Sequence, residues 1–179
     1  MEIKGYKAFN HDLTNRYGKK FDEGVTYYVN TPIKYGNNGN GYHFCKRLED
    51  TLRYFNSNDI AIAEVTGLGN IHESFDEYNE YYDLYVTDTI RIDKVLEREE
   101  IINRFLHQPE YRVRRFLENY ILNSDEIQLF KYMYKDNEDV LNTIAYYQEK
   151  DKKTFEKSLN KRKRLWKRKT HYFIKLLNL

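Results

Sequence analysis

The apolar residues of this 179-residue chain change their period close to residue 94. Before that point they alternate, and one face of the longest predicted strand is formed by Leu84, Val86, Ile90 and Ile92. After it they recur every three or four residues, which is typical of amphipathic helices. A strand-rich segment followed by a helical segment predicts an α+β fold with two modules, residues 1–93 and residues 94–179.

The first module is predicted to be a small, curved, mostly antiparallel sheet with one helix. Strands are predicted over 3–9, 24–29, 42–45, 60–65 and 84–92, and the helix over 46–55. The glycine- and asparagine-rich run 36–41 predicts a flexible turn, and Gly67-Leu68-Gly69 predicts another. The acidic, tyrosine-rich stretch 73–83 is predicted to be an exposed connection.

The second module is predicted to be a helical bundle. Four apolar stripes separated by short connections follow one another, with Ser124 or Asp125 as the cap of the third helix and Asn137 before the fourth. A short solenoid of helical hairpins is the alternative. The last helix, over residues 152–177, is predicted to be amphipathic and basic.

The charge of the chain is unevenly distributed. Residues 1–98 hold 12 Lys and Arg against 16 Asp and Glu, whereas residues 150–175 hold 12 basic residues against two acidic ones. Cations that surround an indole suit phosphate contacts and base stacking, so the tail predicts a nucleic-acid-binding surface formed by Lys161, Arg162, Lys163, Arg164, Trp166, Lys167, Arg168 and Lys169. An acidic protein partner and a solvated helix face are the alternatives, and contact with a membrane surface ranks below both.

The location of the protein is predicted from what its sequence does not contain. One cysteine, Cys45, cannot form an intramolecular disulfide, and the charged start of the chain leads into no signal-like apolar stretch. No apolar run is long enough to cross a bilayer. We therefore expect a cytoplasmic protein without membrane partners, and the sequence does not indicate an oligomeric state.

Two arrangements of histidine with another side chain suggest a catalytic role. His43 and Cys45 occupy alternate positions of a predicted strand, and a thiol near an imidazole can act as a nucleophile. His43 together with His11 or Glu23 is a candidate general acid and base on a ribose hydroxyl. A structural His43 and a buried Cys45 are the competing interpretations. The five histidines and the cysteine lack metal-ligand spacing, so we expect no metal and no cofactor.

Several sequence blocks in residues 3–93 resemble an uncharacterised family from phages, plasmids and Gram-positive bacteria. These blocks are Gly5-Tyr6-Lys7-Ala8-Phe9-Asn10, Asp12-Leu13-Thr14, Gly41-Tyr42-His43-Phe44-Cys45 and Ala63-Glu64-Val65. The mobile-element habitat implied by this resemblance suggests an inhibitor of host defence. Some inhibitors of type II CRISPR nucleases look similar in their small, basic, two-part plan. The implied partner is guide RNA or the Cas ribonucleoprotein, with RNA cleavage as an open extension.

A second resemblance is to the core of ADP-ribosyltransferases. Tyr6-Lys7 lies on an early strand, and Gly41-Tyr42-His43-Phe44 leads into a helix that ends near Tyr54. Such cores hold NAD between these two elements, which implies that Tyr6, Lys7, His43 and Tyr54 converge on one pocket. The family commonly has arginine or histidine where this chain has Lys7, and Glu64 and Glu73 are the candidates for its late glutamate. A protein-interaction module without catalysis is the remaining alternative.

Overall fold

The fold is described from a computed structural model that covers residues 2–34, 39–54, 60–76 and 79–149, with side chains described outside 74–83 and 149. Its five strands are β1 (Ile3–Asn10), β2 (Thr26–Tyr28), β3 (Tyr42–Cys45), β4 (Ile60–Asp76) and β5 (Asn79–Val95). The strand order is β2-β5-β3-β1-β4, and every neighbouring pair is antiparallel. Because β4 also pairs with β5, strands β1, β3, β5 and β4 close into a small barrel.

The long β4–β5 hairpin differs from the sequence prediction in two places. Gly67-Leu68-Gly69 is not a turn, because it continues β4, and Gly69 adopts a φ of 67° where the pairing register shifts between Leu68 and Ile71. A glycine in this conformation marks a bulge as readily as a turn. The predicted connection over 73–83 is wrong at its described positions, because residues 73–76 belong to β4 and residues 79–83 to β5, and Asp76 pairs with Asn79.

Aromatic and β-branched side chains fill the barrel. Phe9 from β1, Phe44 from β3 and Ile92 from β5 belong to one buried cluster. Phe21, which follows the loop after β1, packs its ring 5.1 Å from that of Phe9. This interior holds β1 and β3 side by side, which is the arrangement on which the candidate site depends.

The first compact unit extends from Met1 to Ile121 and includes three helices. Helix α1 (Leu48–Thr51) continues as a 3₁₀ helix over Leu52–Tyr54, and α2 (Arg98–Phe105) and α3 (Glu110–Asn119) follow the barrel. The rings of Phe105 and Phe116 stack at 4.0 Å and join α2 to α3. The change from strand to helix lies near the predicted 93/94 boundary, whereas the compact unit continues through α3.

The second compact unit begins at Leu122 and contains α4 (Ser124–Met133), α5 (Glu138–Ile144) and a π-helix over Ala145–Glu149. Asn123 caps α4 in a capping box with Glu126, so the predicted caps Ser124 and Asp125 are wrong by one or two residues. Helix α5 follows Asn137, as predicted, and the Asn137 side chain caps it by accepting a hydrogen bond from the backbone N–H of Val140. The predicted α+β class is confirmed, while the predicted helix over 152–177 lies outside the described residues.

Candidate functional site

A cavity of about 240 Å³ opens where β1 and β3 meet the loop after β1 and the helix after β3. We call it the β1–β3 pocket. Its chemically functional lining residues are Tyr6, Lys7, Asn15, Arg16, Tyr17, Tyr42, His43, Cys45, Thr51 and Tyr54. The lining contains lysine, arginine and histidine, and no carboxylate is found among these described residues.

Two glycines allow the strands of the pocket to approach closely. A Cβ on Gly5 of β1 would lie 2.4 Å from the carbonyl oxygen of Cys45 on β3. A Cβ on Gly41, directly before β3, would lie 2.4 Å from Val86 Cγ2 and 2.8 Å from Ile33 Cδ1. A Cβ at either position would lie closer than 3.0 Å to a neighbouring atom, so a larger residue would displace the β3 backbone at Gly5 and the side chains of Val86 and Ile33 at Gly41.

Lys7 carries its charge into the junction between the two strands. Its Nζ donates a hydrogen bond of 2.6 Å to the carbonyl oxygen of His43. The pKa of Lys7 is lowered from 10.5 to about 8, chiefly by burial; interaction with Cys45 opposes this shift, and the positive charge of Arg16 adds to it. Lys7 is therefore mostly protonated at pH 7 and becomes neutral only one to two pH units higher.

His43 and Cys45 both line the pocket, as do the other two residues of β3, Tyr42 and Phe44. His43 is half-buried, whereas Cys45 is 1% exposed. A thiol this inaccessible acts as a small buried apolar group more readily than as a nucleophile. The imidazole is the better candidate for ligand contact.

The loop after β1 is shaped by its own polar side chains. Asn15 Oδ1 accepts hydrogen bonds from the backbone N–H groups of Tyr17 at 3.0 Å and Lys19 at 2.9 Å. This local turn places Arg16 and Tyr17 at the pocket, where Tyr17 is 82% exposed. An exposed tyrosine ring beside a cation suits stacking against a planar ligand.

Lys19 fixes the far end of this loop against the barrel. Its Nζ lies 4.7 Å from the ring centre of Tyr42 and 5.2 Å from that of Tyr27, and it donates a 2.6 Å hydrogen bond to Tyr42 Oη. The Tyr42 hydroxyl donates in turn to the carbonyl oxygen of Tyr28. Cation–π and hydrogen-bond contacts therefore hold the loop in the position that forms the pocket.

Helix α1, which with the 3₁₀ helix after it brings Thr51 and Tyr54 to the pocket, is fixed to α3 by ion pairs with buried carboxylates. Arg112 Nε and one terminal nitrogen contact the two carboxylate oxygens of Glu49 at 2.6 Å and 3.0 Å. Arg115 contacts Asp50 at 3.1 Å. Glu49 and Asp50 are 1% and 0% exposed, so these charges are compensated within the fold.

The predicted site residues divide into two groups. Tyr6, Lys7 and His43 line the β1–β3 pocket together with Tyr54. His11 lies exposed in the turn after β1, and the Glu23 carboxylate accepts a hydrogen bond from the backbone N–H of Val95, so neither lines this pocket. Asn15, Arg16, Tyr17 and Thr51 line it and were not predicted. The turn sequence Asn-Arg-Tyr-Gly was the only local signal for the first three.

The two glutamates suggested by the ADP-ribosyltransferase resemblance do not line the β1–β3 pocket. Glu64 accepts a 2.7 Å hydrogen bond from Arg104, whose other terminal nitrogen donates to Tyr6 Oη at 2.9 Å. Glu73 is exposed on β4. The described lining thus offers cations, aromatic rings and hydroxyl groups for binding, without a carboxylate.

The predicted nucleic-acid contacts of the tail, from Lys161 to Lys169, lie outside the described residues. Within the part of the chain that the structure covers, no three histidine, cysteine, aspartate or glutamate side chains lie close enough to hold a metal ion. Over the same residues, no helix is both long and apolar enough to cross a membrane.

Comparison with known proteins assigns the barrel to a sequence family. Residues 3–104 match the sequence model of a family described as a domain of unknown function, DUF7666, and this range covers more than half of the chain. It includes every strand of the barrel and ends at Arg104 in α2. Neither the curated proteins nor the solved structures contain a significant match.

Proposed function

The chain belongs to DUF7666, a family of unknown function, and we propose that it binds NAD in the β1–β3 pocket, in the manner of an ADP-ribosyltransferase. One observation carries the proposal: Tyr6, Lys7, His43 and Tyr54 line the same cavity. These four residues come from an early strand, a glycine-preceded strand and the helix after it. Their convergence is what the resemblance implies.

The size of the pocket favours the nicotinamide riboside half of NAD. Sites for drug-sized ligands measure about 300–1,000 Å³, so a cavity of about 240 Å³ holds a ring and a sugar more readily than a whole dinucleotide. Tyr42 and Tyr54 supply aromatic surface, and the Thr51 hydroxyl is a polar group at the same wall.

The charge of the pocket fits the phosphates of NAD. Lys7 and Arg16 are cations in the lining, and no described lining residue is acidic. Charge-assisted hydrogen bonds from lysine and arginine are among the stronger contacts that proteins make to phosphate. Cleavage of the nicotinamide–ribose bond in this enzyme class uses a carboxylate, so the described lining supports NAD binding more directly than it supports transfer.

The proposal is tested by calorimetric titration of the full chain with NAD at pH 7. We expect a dissociation constant on the order of 1 mM or tighter, as is usual for enzyme substrates, and at least tenfold weaker binding by Lys7→Met and His43→Ala. His107→Ala is the matched control, because His107 is exposed and does not line the pocket. No binding by the unmodified chain, or equal losses in all three variants, would show the proposal to be wrong.

Catalysis is measured separately from binding. If the chain cleaves NAD, water replaces nicotinamide at the ribose carbon, and nicotinamide, ADP-ribose and a proton are released. Liquid chromatography detects free nicotinamide directly. If NAD binds but no nicotinamide is released without an acceptor, two functions are consistent with the result: NAD sensing and transfer of ADP-ribose to a specific acceptor. Incubation with host-cell lysate and labelled NAD distinguishes them, because only transfer labels a lysate component.

A second proposal, inhibition of host defence through guide RNA or a Cas ribonucleoprotein, is supported by the basic sequence 150–175 and by the phage and plasmid resemblance. It places the protein in the cytoplasm of a bacterial host. The test is binding of purified full-length chain to guide RNA and to the loaded nuclease between about 50 and 200 mM salt, where phosphate contacts weaken steeply. Absence of binding to both at the lowest salt contradicts it.

A further inference from the structure

A second concavity lies on the outer face of β1 and β4. We call it the outer groove. Its volume is about 500 Å³, and its lining consists of Lys4, Gly5, Tyr6, Lys46, Glu64, Val65, Arg91 and Asp93. Tyr6 lines both this groove and the β1–β3 pocket, so the two concavities are neighbours.

The pairing of three strands sets the residues of the outer groove in rows. Lys4 of β1 pairs with Thr66 of β4, which pairs with Arg91 of β5. The hydroxyl of Thr66 is buried, donates a 2.6 Å hydrogen bond to Asp93 and accepts one from Arg91. The wall of the groove is therefore formed by paired residues of adjacent strands and by side-chain hydrogen bonds, and not by a loop.

Both acidic residues of the groove are already paired. Asp93 contacts Arg91 Nε at 2.6 Å, and Glu64 contacts Arg104 at 2.7 Å. Lys4 and Lys46 are exposed, and neither forms an ion pair with another described residue. Among the described residues, the groove therefore has two lysine charges without an ion-pair partner, within a half of the chain whose net charge is negative.

We propose that the outer groove binds single-stranded nucleic acid, with phosphates on Lys4 and Lys46. The strand continues past Tyr6 towards Arg16 and the exposed ring of Tyr17, where a base stacks. A cationic track with aromatic platforms is how proteins bind single strands independently of sequence. An acidic peptide would use the lysines but not the rings. This proposal does not depend on NAD binding, although its path shares Arg16 and Tyr17 with the β1–β3 pocket, and its lysines are distinct from the basic tail.

The experiment measures fluorescence anisotropy of a labelled 15-nucleotide oligouridine titrated with the full chain. The test variants are Lys4→Glu and Lys46→Glu, and the matched control is Lys135→Glu, which makes the same charge change at an exposed site after α4. We expect each test variant to bind at least fivefold more weakly at 100 mM salt. The slope of log affinity against log salt should fall by about 0.7 for each lost phosphate contact.

Three results would overturn this proposal: no binding by the unmodified chain, equal weakening by Lys135→Glu, and weakening with an unchanged salt slope. The second result would indicate a general charge effect or binding through the tail alone. Far-UV circular dichroism confirms that each variant is folded. NAD titration of Lys4→Glu separates the two proposals, because its NAD affinity should stay within twofold of that of the unmodified chain.

Discussion

Replacing Arg112 by alanine tests how the wall of the β1–β3 pocket is held in place. Glu49 is 1% exposed and makes two contacts with Arg112, at 2.6 Å and 3.0 Å. Removal of the guanidinium leaves a buried carboxylate without its partner, which costs about 3–5 kcal/mol. That loss is a large fraction of the roughly 5–15 kcal/mol that stabilises a typical domain.

The free energy of unfolding is measured by urea titration followed by far-UV circular dichroism at pH 7. Lys94→Ala is the control, because the Lys94–Glu100 pair is solvent-exposed and such pairs contribute about 0–1 kcal/mol. The double variant Glu49→Leu with Arg112→Leu should be more stable than Arg112→Ala, since it leaves no isolated charge. If Arg112→Ala costs no more than Lys94→Ala, the buried pair does not fix α1 and the reasoning is wrong.

Three further perturbations have defined outcomes. Gly41→Ala places a methyl group 2.4 Å from Val86 Cγ2 and should lower stability by about 1–3 kcal/mol, measured by thermal unfolding. The pKa of Lys7 is about 8 in the folded chain and 10.5 when the side chain is exposed, so the unfolded chain binds more protons between these pH values. The free energy of unfolding, measured relative to Lys7→Met in urea titrations, should therefore rise from pH 8 to pH 10.5. A difference that does not change with pH would contradict the lowered pKa. Asn123→Ala removes the cap that accepts from Glu126 and should cost about 1 kcal/mol, whereas Asn119→Ala at the end of α3 should cost less.

The sequence predicts strands and helices well where the spacing of apolar residues agrees with a recognisable residue at the end of the element. β1 and β3 lie where alternation places them, and Asn137 opens α5 as predicted. The lengths of β4 and β5 were not predictable in the same way, because the strand continues through Gly69 at a bulge. Closure of the barrel depends on the pairing of β4 with β5 and of β5 with β3, and such long-range pairing leaves no local pattern.

The candidate site was only partly predictable for the same reason. Tyr6, Lys7, His43 and Tyr54 follow from the order of two strands and a helix, which a resemblance can indicate. Arg16 and Tyr17 reach the pocket because the Asn15 side chain stabilises a local turn. The sequence predicts the turn, but it does not predict which part of the barrel the turn packs against. Glu23 seemed suited to acid–base work, yet it binds a backbone N–H at the end of β5.

Nuclear Overhauser contacts between NAD and the full-length chain test the central claim most directly. The account predicts contacts from the nicotinamide ring protons to the aromatic protons of Tyr54 and to the imidazole of His43, and their loss on competition with nicotinamide riboside. Contacts should be absent for Tyr132, an exposed tyrosine of α4. Contacts of NAD with Tyr132 but with neither pocket residue, or no contacts at saturating NAD, would contradict a nicotinamide site between β1 and β3.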